Sequence, residues 1–370
     1  MRILHVTDVY RPRVGGIELF VEGLGLRQAA AGHEVTVLSA TGAHRSTDPA
    51  GLEVVRVPLA GYVPLRMLPV DLTSYDVVHA HLSVVSVFTT RVAKAAARAG
   101  VPVVNTVHSM WNGREGWVRI VGALAAWERL PQVWTSVSRN AAATIEEVLD
   151  PGAEVRVVPN AVDVDYWHGN TDDRRDAASV TFATVMRLAG RKRPLQLVDM
   201  LAQARLAVPP SVPMRAVIVG DGPLEERTRA RVAALGLDWV TLTGQLSPER
   251  VRGVFRDADV YVAPCPQESF GIAALEARAS GLPVVAMRSG GVGEFVRDGV
   301  EGLLCSDDDE MAEALARLAT DATTRDRMSA HNRAHAPRYD WSLTLDGFED
   351  AYAVAESRAT SRRTRSSASR

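Results

Sequence analysis

Two runs of alternating short apolar and longer Ala- and Leu-rich segments follow one another along the chain, and this repetition limits the fold more than any single residue does. In the first run, residues 3–7, 35–39, 54–57, 77–80 and 103–107 are short, β-branched and almost continuously apolar. That is the pattern of parallel strands covered on both faces. Helical patterns fall between several of them, notably over residues 17–31 and 84–99. The alternation pauses after VRVVPN (155–160). It resumes with VTFATV (180–185), RAVIVG (215–220), WVTLTG (239–244), DVYVAP (259–264) and LPVVAM (282–287). Such alternation specifies a doubly wound α/β sheet, and two runs specify two sheets. A chain of 370 residues is long enough for two cores. The expected organisation is a Rossmann-like domain over residues 1–168, a polar linker containing NTDDRRD (169–178), and a second Rossmann-like domain over residues 178–340. Ligands bind beyond the C-terminal ends of such strands, so the functional residues should lie there, facing a cleft between the two sheets.

Composition narrows the function classes. With 46% hydrophobic and 23% charged residues, the chain has the make-up of a soluble globular protein. A net charge of -2 gives no general attraction to nucleic acid. The two cysteines, Cys265 and Cys305, have neither metal-ligand spacing nor a disulfide framework. The N-terminus, MRILHVTDVY, enters a strand pattern directly with no apolar signal core, and no run of about 18 uncharged apolar residues occurs. A cytoplasmic protein is expected. The final residues 358–370, rich in Ser and Arg, are too polar to pack and are expected to be unstructured. Contact of this tail with anionic lipid headgroups would make the protein peripherally membrane-associated.

The segment PCPQESFGIAALE (264–276) carries the most chemistry. A strand ends at Pro264, Gly271 allows a tight backbone approach, and Ile272 opens a helix whose free N–H groups form an anion site. Phe270, Gly271 and Ile272 at this junction are expected donor contacts. Glu268 precedes the helix and Glu276 lies within its early turns. Carboxylates accept hydrogen bonds from paired hydroxyls, so Glu276 suits a ribose diol and Glu268 a sugar ring. Arg187 and Lys192, in the loop after residues 180–185, would stabilise negative charge developing on a departing phosphate. The neighbours Arg191 and Arg193 read as solvated.

With its flanks, this segment resembles the signature of glycosyltransferase family 4, a retaining group with the GT-B fold. The likeness extends over almost the whole chain. TFATVMRLAGRKRP (181–194) resembles the family's Gly-Arg-Leu…Lys-Gly strand and loop, with Arg187 and Lys192 at the diphosphate-holding positions. VPNAVDVDYW (158–167) resembles its inter-domain stretch, DVYRPRVGGIELFV (8–21) its first glycine-rich loop, and TVHS (106–109) its histidine-bearing strand end. YDW (339–341) and the helix over 341–357 resemble the segment that returns to pack on the N-domain. Met186, Pro194 and Ala161 stand where the family usually has glycine, which is backbone variation that removes no charge. The resemblance implies sugar transfer from a UDP- or GDP-linked donor to an acceptor hydroxyl of a small molecule, lipid or glycan. Attack would come from the front face, with the leaving phosphate helping to take the proton.

The remaining candidates are placed less directly. Gly15 and Gly16 open the first helix as a donor-phosphate or acceptor-side loop, without the dinucleotide G-x-G-x-x-G pattern. His108 should point into the cleft near the donor sugar. Gly220, Asp221 and Gly222 form a turn that the resemblance places near the nucleotide base. His79 and His81 end a strand and allow either a metal site or pocket lining by His81. No acidic partner is placed beside them, no Asp-x-Asp metal motif precedes the pocket, and neither metal nor cofactor is expected. Trp111, Trp117, Trp127 and Trp134 suggest an aromatic core or an acceptor wall, with a membrane face as the alternative. The rival functions are a sugar-nucleotide epimerase on the same architecture and a non-catalytic nucleotide-sugar-binding protein.

Overall fold

Parallel strands can be joined only through crossovers, and the β/α alternation supplies them. The computed structural model describes residues 1–12, 15–42, 48–57, 65–111, 116, 130–149, 154–168 and 179–368. The chain divides into two compact units, Met1–Ala161 with Trp341–Arg370, and Val162–Asp340. The boundary falls before the short helix Val164–His168, which packs on helix Ile272–Ala279 of the second unit. The expected linker (169–178) lies outside the described residues, as do Trp117 and Trp127.

The first unit is built on strands β1 (Arg2–Thr7), β2 (Glu34–Ser39), β3 (Glu53–Arg56), β4 (Val77–Leu82), β5 (Val103–Val107), β6 (Gln132–Ser136) and β7 (Val155–Val157). They form one parallel sheet in the order β3-β2-β1-β4-β5-β6-β7. Helix Val87–Arg98 covers one face; the Asp8 carboxylate accepts hydrogen bonds from the Phe88 and Thr89 amides at its start. Helix Gly16–Ala30 and the C-terminal helix Trp341–Ala368 cover the other face. Phe348, Ala351, Tyr352, Ala355 and Ala359 recur at helical spacing and are buried. The Ser/Arg end differs from expectation, because the helix continues to Ala368. It continues because Ala359 is buried and the Arg358 guanidinium donates to the Gln132 carbonyl, so this stretch is anchored as it leaves the core. No helix among the described residues is long and apolar enough to cross a membrane.

The second unit contains β8 (Val180–Val185), β9 (Met214–Val219), β10 (Val240–Gly244), β11 (Val260–Ala263), β12 (Val284–Met287) and β13 (Gly302–Cys305). Its parallel sheet runs β10-β9-β8-β11-β12-β13. The central strands β8 and β11 are neighbours, with Val260 opposite Phe182. The loops after them, which carry Arg187, Lys192 and Glu268, therefore emerge side by side. Both sheets have the order expected of Rossmann-like domains, and in each the order reverses beside the first strand.

Candidate active site

In the second unit the loop after β8 is held by backbone packing. Gly220 has φ +127°, and a Cβ there would stand 1.9 Å from the Met186 carbonyl; at Gly222 a Cβ would stand 2.6 Å from that of Leu188. Only glycines let these two backbones touch. Met186 N–H donates to the Val219 carbonyl, Leu188 N–H to that of Asp221, and Leu224 N–H to that of Leu188. Gly220, Asp221 and Gly222 thus form the floor under Arg187. The Arg187 side chain is exposed and forms no hydrogen bond or ion pair with the described residues.

The next residues close into a single 3-10 turn, Gly190–Lys192. Lys192 Nζ pairs with Glu268 Oε2, joining the β8 loop to the β11 loop. Both side chains are mostly shielded, at 25% and 16% exposure. Arg193 differs from the solvated reading. It adopts a left-handed conformation and grips Asp308 with two hydrogen bonds, at 2.8 and 2.5 Å, while also donating to the Pro264 carbonyl. Cys265 Sγ donates to the Arg191 carbonyl at 3.1 Å. The turn that presents Lys192 is therefore fastened to the end of β11 on both sides.

Gly271, with φ +97°, sits before helix Ile272–Ala279, and a Cβ there would stand 2.9 Å from Val292 Cγ2. The ring of Phe270, expected as a donor contact, is instead buried against Phe295 and Tyr339. It supports the loop from inside because its apolar ring is worth more in the core than beside a charged ligand. Ile272 is partly exposed at the helix start. Glu276 keeps a partly exposed edge, yet the protein packed around its carboxyl pushes the pKa up to about 8. Tyr261, buried on β11, is near enough to feel the charge of both acids, and its hydroxyl donates to the Val185 carbonyl at 3.2 Å. Sequence patterning missed Tyr261, Cys265 and Asp308; strand and helix position alone gave them no distinguishing signal.

The first unit presents a different arrangement. Gly15 and Gly16 begin helix Gly16–Ala30, but buried Glu18 folds back so that a Cβ on Gly15 would stand 2.6 Å from its carboxylate. The Glu18 side chain thus lies against the backbone at this helix start. His108 is 7% exposed, and His5, His79 and His81 are buried completely or nearly so. His81 therefore does not line an open pocket. Parallel register explains the cluster: His5 pairs with His79 and His81 with Thr106, so alternate residues of β1, β4 and β5 stack on one face.

Hydrogen bonds run from ring to ring. His5 Nδ1 lies 2.9 Å from His81 Nε2, His81 Nδ1 lies 3.0 Å from His108 Nε2, and His79 contacts the Tyr352 hydroxyl and Thr106 Oγ1 at 2.8 and 2.6 Å. Burial pushes His5 down to about 4 and His108 to about 3, and holds His79 and His81 well below the usual imidazole range. One ring nitrogen each of His5, His79 and His81 lies within 4.8 Å of the others, close enough for a shared metal ion. Both nitrogens of each of these rings already have a hydrogen-bond partner. A cation would have to break those bonds. Trp111 and Trp134 meet edge to face in the core.

Comparison with known proteins follows the same division of the chain. Residues 14–166 match the family model for Glycosyltransferase Family 4, and residues 173–335 that for Glycosyl transferases group 1. The D-inositol 3-phosphate glycosyltransferase of Saccharomonospora viridis is 32% identical, over 95% of this chain and 93% of that protein. Its counterpart from Acidothermus cellulolyticus is also 32% identical, over 94% and 88%. Among solved structures, Anabaena HepE in complex with UDP and glucose aligns with a TM-score of 0.75 at 20% identity, over 95% of this chain and 99% of that one. Sucrose-phosphate synthase from Thermosynechococcus elongatus aligns with a TM-score of 0.70 at 19% identity, over 100% of both. Matched in both halves and related at 32% identity over nearly its full length, the chain belongs to glycosyltransferase family 4 and is a glycosyltransferase of the GT-B fold.

Proposed function

We propose that this enzyme transfers a sugar from a nucleoside-diphosphate sugar to an acceptor hydroxyl with retention of anomeric configuration. The observation that carries the reading is the meeting of Lys192 and Glu268 at the adjacent ends of β8 and β11, with exposed Arg187 and the N-terminus of helix Ile272–Ala279 close in sequence to them. In this reading the diphosphate takes Lys192 and Arg187 as its cations. Glu268, released from Lys192 by the phosphate, turns to the hydroxyls of the sugar, and Glu276 accepts from the ribose diol. The acceptor attacks from the face the diphosphate leaves, and a phosphate oxygen takes its proton.

The relatives suggest the acceptor. Proteins named D-inositol 3-phosphate glycosyltransferase share 32% identity with the chain, so a phosphorylated cyclitol is the acceptor to test first. UDP-sugars are the first donors to try, since HepE was solved with UDP and glucose; GDP-sugars complete the panel. Each donor is incubated with and without D-inositol 3-phosphate, and the product anomer is read by NMR. An acceptor-dependent product with the donor's anomeric configuration is expected. Inversion would sink the mechanism. Conversion of the nucleotide sugar without an acceptor would mark an epimerase, and inertness to every donor would overturn the reading.

A further inference from the structure

The residue that follows Lys192 goes against two local preferences at once. Arg193 precedes Pro194, and a residue before proline is pushed toward extended backbone because the proline ring crowds its N–H and Cβ. Arg193 instead has φ 60° and ψ 47°, and it is the one non-glycine residue with positive φ among the described residues. An L-residue in this left-handed region sets its own Cβ against the backbone, a crowding that glycine escapes. Local preference therefore opposes the observed conformation, which persists only where distant groups hold it.

Those groups are Asp308 and Pro264. Arg193 Nη1 and Nη2 donate to the two carboxylate oxygens of Asp308 at 2.8 and 2.5 Å, and Nη1 also donates to the Pro264 carbonyl at 3.2 Å. Asp308 is itself fixed, in the first turn of helix Asp308–Thr320. Met311 and Leu315 of that helix share a core with Leu197 and Leu201 of helix Pro194–Ala207, which Arg193 begins. Gln203 Nε2 ties the same two helices by donating to Asp309 Oδ1 at 3.1 Å. A partly exposed ion pair adds little to global stability, but the two-pronged grip fixes direction, which is what a choice between two backbone wells requires. The Lys192 turn and the following helix meet at Arg193. Lys192 N–H donates to the Ala189 carbonyl at 2.9 Å, and Leu197 N–H to that of Arg193 at 3.0 Å. The conformation of residue 193 thus sets the angle between them.

We propose that Arg193 is a positioning residue for Lys192: gripped by Asp308, it keeps this junction left-handed and so aims the Lys192 ammonium at the diphosphate. The proposal rests on the reading of Lys192 as a cation for that diphosphate. Without the grip, residue 193 relaxes toward the extended backbone favoured before proline. Lys192 then swings away with its flexible stem, and a displacement of about an ångström is enough to weaken an aligned contact.

UDP and GDP are the probes, because each presents a diphosphate without a sugar or an acceptor. Their dissociation constants are measured by titration calorimetry on the full chain, and the tighter of the two is followed. Arg193→Ala and Asp308→Ala should each weaken binding by about tenfold or more, the scale of one charge-assisted hydrogen bond. Arg193→Gly loses the same guanidinium but adopts the left-handed backbone freely, so it should bind within about threefold of wild type. Adding Asp308→Ala to Arg193→Gly should then change affinity by less than about twofold. In a Lys192→Ala background, which itself binds weakly, Arg193→Ala should likewise have little further effect. A residue that merely stabilises the fold would make the Gly variant no better than the Ala variant. Equal weakening in those two, or wild-type affinity in both Arg193→Ala and Asp308→Ala, overturns the proposal while leaving Lys192 in place. Should Arg193→Ala fail to fold, Asp308→Ala with and without Arg193→Gly decides the question alone. Wild-type affinity in Lys192→Ala, or binding of neither nucleotide by the wild type, overturns the reading of the site and the proposal with it.

Discussion

The two units treat buried polarity in opposite ways. In the first, burial holds His5, His79, His81 and His108 neutral; His5, His81 and His108 are joined ring to ring, and His79 is bonded to the Tyr352 and Thr106 hydroxyls. In the second, polarity is charged: Lys192 pairs with Glu268, Arg193 with Asp308, and buried Glu301 with Arg297, Arg278 and His331. A neutral imidazole can be desolvated at the cost of matching its two nitrogens, which a hydrogen-bonded chain achieves. An ion needs a counter-ion, and a pair at a strand end can be reopened by a charged ligand. The first unit thus has a neutral, hydrogen-bonded polar interior, and the second a rim that can exchange partners.

The largest expected effect tests the exchangeable rim. Lys192→Ala should lower kcat by about a thousandfold, roughly 4 kcal/mol of transition-state stabilisation, under saturating donor. Transfer at the wild-type rate would break the assignment of Lys192 to the leaving phosphate.

The next test separates the units by pH. Imidazoles with depressed folded pKa values contribute stability that is present above about 6.5 and lost as pH falls toward about 4, the value for His5. The loss should approach 3 kcal/mol for His5 alone. Protection factors of the β4 and β5 amides, taken relative to their intrinsic exchange rates at each pH, should therefore fall between pH 6.5 and 4. Protection there that is independent of pH would mean the rings are not held neutral.

Glu301 samples the opposite case. Burial alone would raise its pKa, but hydrogen bonds and charge from Arg297, with the charge of Arg278, bring it down to about 2. Its contribution is present above about 4.5 and lost only as pH falls through about 2. Glu301→Gln should cost about 3 kcal/mol in urea unfolding and leave the kinetics of the folded enzyme unchanged, because the residue joins structural elements rather than the site.

The smallest effect sharpens the comparison at Glu276. Its raised pKa reverses the sign: stability falls as pH rises from about 4.5 to about 8. Glu276→Gln should then be about 1 kcal/mol more stable than wild type at pH 9, a figure discounted for its partly exposed edge. It should also raise donor KM about tenfold. In the wild type at pH 7, donor binding should release a proton as the carboxyl ionises against ribose hydroxyls, giving a calorimetric enthalpy that varies with the buffer. A buffer-independent enthalpy would take Glu276 away from the diol.

Much of this was legible in the residues. Continuous apolar runs located β1 to β5 and β8 to β12, and the motif around Glu268 located the loop after β11. Strands β6, β7 and β13 escaped because QVWTS, VRV and GLLC are too short or too mixed for periodicity to separate them from loops. Glu268, Glu276 and Lys192 were selected as candidates from residue type and offset alone. The burial of the Phe270 ring was not legible because it depends on Phe295 and Tyr339, which are distant in sequence. The histidine cluster was half visible: VHAH displays two strand-alternating histidines and HVT one, but only the register of β1 against β4 makes them one group.

By itself, then, the sequence determined what is periodic or local: two parallel α/β sheets, their loops, and the acids and cations placed after β8 and β11. Tertiary structure decided which cation is paired with which acid, that Arg193 fastens the Lys192 turn instead of facing solvent, and that the terminal helix reaches back to set Tyr352 against Gln28. The physical reason is that hydrophobic periodicity is a property of neighbours in the chain, whereas hydrogen-bond direction and ion pairing belong to atoms brought together from residues as far apart as Gln28 and Tyr352.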